Sequence, residues 1–79
     1  MFYVYIIESE LDNTFYIGQT NDVGKRIEYH NQGLSRYTSR KTPWKLVYVE
    51  NYQTRKEAIL REKFLKRQKN RDFYKKLIG

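Results

Sequence analysis

The chain has 79 residues, no cysteine, and sixteen Lys or Arg against nine Asp or Glu, a formal charge of +7. These figures exclude a disulfide scaffold and a thiolate zinc site, and they leave room for one domain, residues 1–79, of a size that buries only about 60% of its unfolded surface. Such a core depends on bulky side chains, and eight Tyr, four Phe and one Trp supply them.

The charge is unevenly placed. Residues 1–35 hold two basic and five acidic side chains, whereas residues 36–79 hold fourteen basic and four acidic. A basic half attracts polyanions, nucleic acid first. No apolar run nears the roughly 20 residues of a membrane span. Phe2–Ile7 is strand length and lacks a basic flank, so neither a signal peptide nor membrane association is expected. A cysteine-free chain of this kind reads as cytoplasmic.

In chain order, Phe2-Tyr3-Val4-Tyr5-Ile6-Ile7 is β-branched and aromatic throughout and reads as a buried strand. Phe2, Val4 and Ile6 share one face; Tyr3, Tyr5 and Ile7 share the other. Asp12-Asn13 signals a turn. Phe15-Tyr16-Ile17 is the second strand, which Gly18 is read as ending. Paired antiparallel, the two strands carry Tyr5 and Tyr16 side by side at a sheet edge. Thr20-Asn21-Asp22 offers three N-caps for a helix from Val23 to about Gln32, stopped by Gly33. Val23, Ile27 and Leu34 give its apolar side, with His30 at the same spacing, and Arg26 stacks one turn before His30.

Leu34 to Thr42 is a polar, basic loop in which Arg36, Arg40 and Lys41 alternate with Tyr37 and several hydroxyls. Forked guanidinium donors beside hydroxyls suit phosphate contact; an ordinary surface loop has the same composition. Pro43-Trp44 leads into a third strand, Leu46–Val49. Thr54-Arg55-Lys56-Glu57 is a capping box that opens a second helix, Arg55 to about Gln68. Ala58, Leu60, Phe64 and Leu65 form its apolar side, with Glu62 beside that stripe. A last helix, about Arg71 to Leu77, closes the chain through Phe73, Tyr74, Leu77 and Ile78. The order β-β-α-β-α-α predicts an α+β fold, a three-stranded, mainly antiparallel sheet flanked by helices.

Taken singly, the polar candidates have plain explanations. A strand tyrosine is commonly a core residue, a helix arginine a surface one, and Glu62 has Lys66 at i+4 as a partner. Together, two phenols, a guanidinium, an imidazole and a carboxylate are what metal-assisted phosphodiester cleavage needs. The carboxylate holds a divalent cation, the cation stabilises charge on the phosphate, the arginine binds the scissile phosphate, and a phenol or imidazole takes a proton from water.

At this point the sequence resembles the GIY-YIG nuclease superfamily. The resemblance rests on Tyr3-Val4-Tyr5-Ile6, Tyr16-Ile17-Gly18-Gln19-Thr20, Arg26-Ile27 with His30-Asn31, Thr42-Pro43-Trp44-Lys45-Leu46-Val47, and Ala58 followed by Glu62. No piece is specific alone; the set, in order and spacing, is. The resemblance implies that Tyr5 is a general base, that Tyr16 orients water or phosphate, and that Arg26 contacts the phosphate. It also implies that His30 assists proton transfer and that Glu62 holds one Mg²⁺ or Mn²⁺ ion. It further implies a structure-preferring DNA endonuclease linked to repair or recombination, acting on DNA rather than RNA. A non-catalytic nucleic-acid-binding module, or a subunit whose partner supplies activity and specificity, is the alternative. The chain departs from the pattern in carrying Tyr3 where the family name has Gly, and Gln19 where the repair branch has lysine. Affinity would rest on Arg36, Arg40, Lys41 and Lys45, with Lys66 on the second helix, through backbone contacts rather than base readout.

Overall fold

The two faces of the first strand organise the molecule. A computed structural model describes residues 1–79 as β1 (Phe2–Ser9), β2 (Phe15–Thr20), α1 (Val23–Asn31), β3 (Trp44–Tyr52), α2 (Arg55–Gln68) and α3 (Arg71–Ile78). The strands form one sheet in the order β2-β1-β3, antiparallel throughout. The expected α+β order is the observed one.

Strand alternation sends Val4, Ile6 and Ile17 to one face, where Ala58 and Leu65 of α2 and Tyr74 of α3 close on them. The opposite face carries Tyr5 and Ile7 with Trp44, joined by Tyr16 and by Ile27 of α1. The sheet is thus covered by α2 and α3 on one side and by α1 on the other; Tyr5, Tyr16, Arg26 and His30 fall on the α1 side, while Glu62 is carried by α2. An irregularity in the β1–β3 ladder, where Ile6 pairs with Tyr48 but Ile7 with Leu46, sets Val47 and Tyr48 both against the larger cluster.

The capping chemistry is as the sequence implies. Thr54 accepts from the Glu57 amide and Glu57 reaches back to the Thr54 amide. Of the three candidate caps for α1, Asp22 is the one used, accepting from the Lys25 amide at 3.0 Å. Thr20 instead bonds the Asp22 amide at 3.1 Å and tightens the approach. Tyr74 joins α2 to α3: its hydroxyl donates to the Leu65 carbonyl at 2.7 Å and accepts from the Lys69 amide at 3.1 Å. The hydroxyl thus bridges a carbonyl of the last turn of α2 and the amide that follows it.

Several expectations need correction. Gly18 lies inside β2, opposite Tyr5, and does not end the strand. The third strand runs well past Leu46–Val49 at both ends. Tyr5 is on the central strand, so the two phenols are not a pair at the sheet edge; only Tyr16 is on an edge strand. Leu34 is 59% exposed, because α1 stops at Asn31 and Gly33, at φ 76°, turns the chain away from the Val23–Ile27 side. In α2 only Ala58 and Leu65 are buried. Leu60 is 57% exposed, because helical spacing carries it round to the outer side. Phe64 is also exposed, covered in part by the edge of Phe73 and the Arg61 guanidinium.

Arg61 belongs to a separate polar knot. Its guanidinium donates to both oxygens of Glu50, at 2.9 and 3.0 Å. The Tyr48 and Tyr52 hydroxyls donate to the same carboxylate. Four hydrogen bonds hold a half-buried charge between β3 and α2. The Arg61 and tyrosine bonds together keep the Glu50 carboxyl below its usual range, against the upward push of burial.

Candidate active site

Tyr5 is 2% exposed. The hydroxyl end of its ring occupies the space a side chain at Gly18, its cross-strand partner in β2, would fill. A Cβ built on Gly18 would fall 2.6 Å from Tyr5 Cζ and nearer still to Oη. Tyr16 pairs with Ile7, so the two phenols are diagonal neighbours on one face, within reach of each other's rings.

Helix α1 brings His30 to the same spot. Its Nε2 lies 2.9 Å from Tyr5 Oη, and its Nδ1 lies 2.8 Å from Thr38 Oγ1. The ring also meets Tyr16 edge-on, centroids 5.1 Å apart. Thr38 is itself fixed: its carbonyl accepts from Trp44 Nε1 at 2.9 Å. Asn31 clamps the Trp44 backbone from the other side, accepting from its amide at 2.6 Å and donating to its carbonyl at 3.0 Å. A buried chain of bonds therefore runs Tyr5–His30–Thr38–Trp44 and ties β1, α1, the following loop and β3 together.

The charged candidates stand around this chain. Arg26 lies over Tyr29, 5.3 Å from its ring centroid, and lines a shallow groove of about 370 Å³ with Thr20, Asn21, Asp22 and Lys25. Glu62 pairs with Lys66 at 3.1 Å, and the Lys66 ammonium stands 5.7 Å from the Tyr16 ring centroid. Both Arg26 and Glu62 are felt at Tyr5. Burial raises the Tyr5 phenol well above its usual range, Tyr16 and Glu62 add to the rise, and Arg26 opposes it. His30 is shifted down, first by burial and then by the Arg26 charge. At neutral pH the pair is a protonated phenol beside a neutral imidazole.

The expected site residues Tyr5, Tyr16, Arg26, His30 and Glu62 thus lie in one neighbourhood, and each charge among them acts on the same phenol. Gln19 alternates to the α2 side of β2, and the ammonium facing Tyr16 comes from Lys66 instead. Of the five candidate contacts to nucleic acid, Lys41 is committed elsewhere: its ammonium bonds Asp12 at 2.8 Å and Thr14 at 3.1 Å. Lys66 is held by Glu62. Arg36, Arg40 and Lys45 are exposed and carry no ion pair. Sequence reasoning missed Thr38, which looks like any hydroxyl of a polar loop, and missed what Asn31 and Trp44 do for it.

An α+β sheet with a buried tyrosine, an imidazole behind it, and an arginine and a carboxylate on flanking helices is the architecture of a nuclease-type domain. A family profile described as the GIY-YIG catalytic domain matches residues 1–77, and the chain belongs to that family. A UPF0213 protein of Streptococcus pneumoniae is 38% identical over 68 residues, 85% of this chain and 68% of that protein. One from Clostridium perfringens is 43% identical over 68 residues, 85% of this chain and 72% of that protein. The solution structure of the UPF0213 protein BH0048 from Bacillus halodurans superimposes with a TM-score of 0.60 at 33% identity, covering 98% of this chain and 83% of that one.

Proposed function

We propose that the protein is a divalent-metal-dependent endonuclease that hydrolyses phosphodiester bonds in DNA, preferring structured or unpaired substrates, with a role in repair or recombination. The observation that carries this reading is the buried Tyr5–His30–Thr38 chain, at 2.9 and 2.8 Å, under the opposing charges of Arg26 and Glu62.

The step follows from the protonation states. Tyr5 keeps its proton at neutral pH; in the tautomer the relay requires, Tyr5 donates to neutral His30 Nε2 and His30 Nδ1–H donates to Thr38 Oγ1. As water loses a proton to Tyr5 Oη, the phenol passes its own to His30 Nε2, and the imidazolium that forms stays bonded to Thr38. The hydroxide attacks phosphorus, the bond to the leaving sugar oxygen breaks, and that oxygen takes a proton from solvent, while the His30 imidazolium returns its extra proton through Tyr5 Oη to solvent. Tyr5 never has to exist as a phenolate, which its burial would oppose. Tyr16 flanks the His30 ring and orients the water or the phosphate. Arg26, exposed in its groove, binds a phosphate oxygen.

Glu62 is the carboxylate that fits a metal. No trio of His, Asp or Glu gathers anywhere in the chain, so a closed protein cage of the zinc type is not built here. Mg²⁺ differs: it keeps several waters and takes one or two carboxylates plus substrate phosphate. A lone, partly covered Glu62 with a cation already drawn to it suits that demand. When bound, Mg²⁺ or Mn²⁺ supplies charge stabilisation for the phosphate and the leaving oxygen.

The test is a cleavage panel of single-stranded, duplex, flap and branched DNA, plus RNA, with Mg²⁺ or Mn²⁺. The wild type should nick DNA only with a divalent cation. Arg26→Ala should lower kcat/KM by about 10²- to 10³-fold at unchanged folding, since its side chain is exposed and makes no hydrogen bond or ion pair. Binding without cleavage under every metal would point to a non-catalytic module, and cleavage only after adding a cell fraction to a partner-dependent subunit.

Thr38→Val tests the relay separately. It removes the acceptor of His30 Nδ1–H and leaves a buried donor without a partner, a cost of about 1–3 kcal/mol in stability. Cleavage should fall about tenfold in the folded protein. Because burial already lowers the His30 pKa, the wild-type rate should stay level down to the usual imidazole range near pH 6.5. It should decline only on the acid side, where the ring gains its own proton. Urea unfolding and a pH–rate profile give the two readouts.

A further inference from the structure

Lys66 is the only polar partner of Glu62, and the same ammonium stands over the Tyr16 ring. One positive charge thus touches both the carboxylate and the aromatic wall of the site. The two side chains are unequally held: Glu62 is 18% exposed and Lys66 49% exposed. The carboxylate is largely covered while the ammonium, on a flexible four-carbon stem with rotatable donors, has an open path to solvent.

We propose that Lys66 is a tethered counter-ion that occupies the cation position at Glu62 and is displaced when a divalent ion loads, which frees its ammonium for the nucleic-acid backbone. The proposal rests on the reading of Glu62 as the metal ligand. Its physical basis is competition. An ammonium in contact with a carboxylate oxygen repels a second cation bound to the same group. A half-exposed lysine pair is weak enough to open, and a hard divalent ion takes the oxygen directly while keeping most of its waters. Lys66 therefore sets how easily the site loads. The coupling is reciprocal: a phosphate that draws Lys66 away makes Glu62 a better ligand, so cation and nucleic acid load together, and an unengaged enzyme holds its cation loosely.

The experiment is titration of the protein with Mn²⁺ alone, followed by the loss of free-ion paramagnetic resonance signal, in wild type, Lys66→Met, Lys66→Arg and Glu62→Gln. Lys66→Met should bind Mn²⁺ about three- to tenfold more tightly. Lys66→Arg, which keeps the charge, should stay within about twofold of wild type, and Glu62→Gln should bind at least about tenfold more weakly. Thermal unfolding of each variant checks that the fold is intact. If Glu62→Gln weakens binding but Lys66→Met leaves it unchanged or weaker, the counter-ion role is overturned and the metal reading stands. If Glu62→Gln binds like wild type, the metal reading itself fails and takes this role with it.

Discussion

Gly18→Ala is expected to cost about 1–3 kcal/mol of stability and at least about 10²-fold in cleavage. The added methyl would sit 2.6 Å from Tyr5 Cζ and closer to Oη, and real side chains do not approach so near. Something has to move, and the surroundings allow little. Tyr5 is on the central strand, 2% exposed, and anchored to His30 at 2.9 Å. Its ring can lift only by breaking that bond and pressing on the Tyr16–His30–Trp44 cluster. The backbone of Gly18 itself would accept alanine, because its φ is not among the positive ones; the penalty is entirely one of space. Gly24→Ala makes the contrast. Gly24 is in α1, the nearest atom to its Cβ is Asp22 Oδ1 at 3.7 Å, and alanine there should stabilise the helix by up to about 1 kcal/mol. For a chain of this size 1 kcal/mol is about 4–8 °C in Tm, so the two alanines should move the melting temperature in opposite directions. Equal melting temperatures and retained cleavage in Gly18→Ala would show that the Tyr5 ring is not confined as described.

The sequence made the strands, the helices and their caps legible because those signals are local. Alternation in Phe2–Ile7, Asp22 before α1 and the Thr54–Glu57 box each depend on residues a few positions apart. The errors came where a role is set by a distant partner. Gly18 looked like a strand terminus because glycine usually punctuates; its reason for being there is a ring thirteen residues back in the chain and directly across the sheet. Thr38 gave no signal, since its value depends on His30 eight residues away and on Trp44. Lys41 read as a free phosphate contact until the fold set it against Asp12 on the β1–β2 turn. Leu60 and Phe64 suggested a broad apolar side for α2, but a three-stranded sheet offers only a narrow surface for that helix to cover. The motif residues were legible as a set of types in order. What the set could not convey is that Tyr5 is the buried centre and that Arg26 and Glu62 act on it from opposite signs.

Glu62→Gln should abolish divalent-dependent cleavage, by about 10³-fold or more, while leaving stability almost untouched. The variant keeps the size and removes the charge that would hold the cation. In the folded protein that charge has one partner, the half-exposed Lys66, and such pairs contribute only about 0.3–0.5 kcal/mol on a helix. Glu50→Gln makes the same chemical change on β3 and should do the reverse. Glu50 accepts two bonds from Arg61 and one each from Tyr48 and Tyr52, so its charge is part of the packing between β3 and α2. Neutralising it leaves the Arg61 guanidinium, itself partly covered, facing an amide that can also donate. The loss should be about 2–4 kcal/mol, with cleavage per folded molecule close to wild type because no member of that knot touches Tyr5, His30 or Tyr16. Denaturant unfolding and metal-dependent nicking, measured on both variants, separate the two carboxylates. A Glu62→Gln protein that still nicks, or that unfolds as early as Glu50→Gln, would place the carboxylate among the structural charges and remove the cation from Glu62.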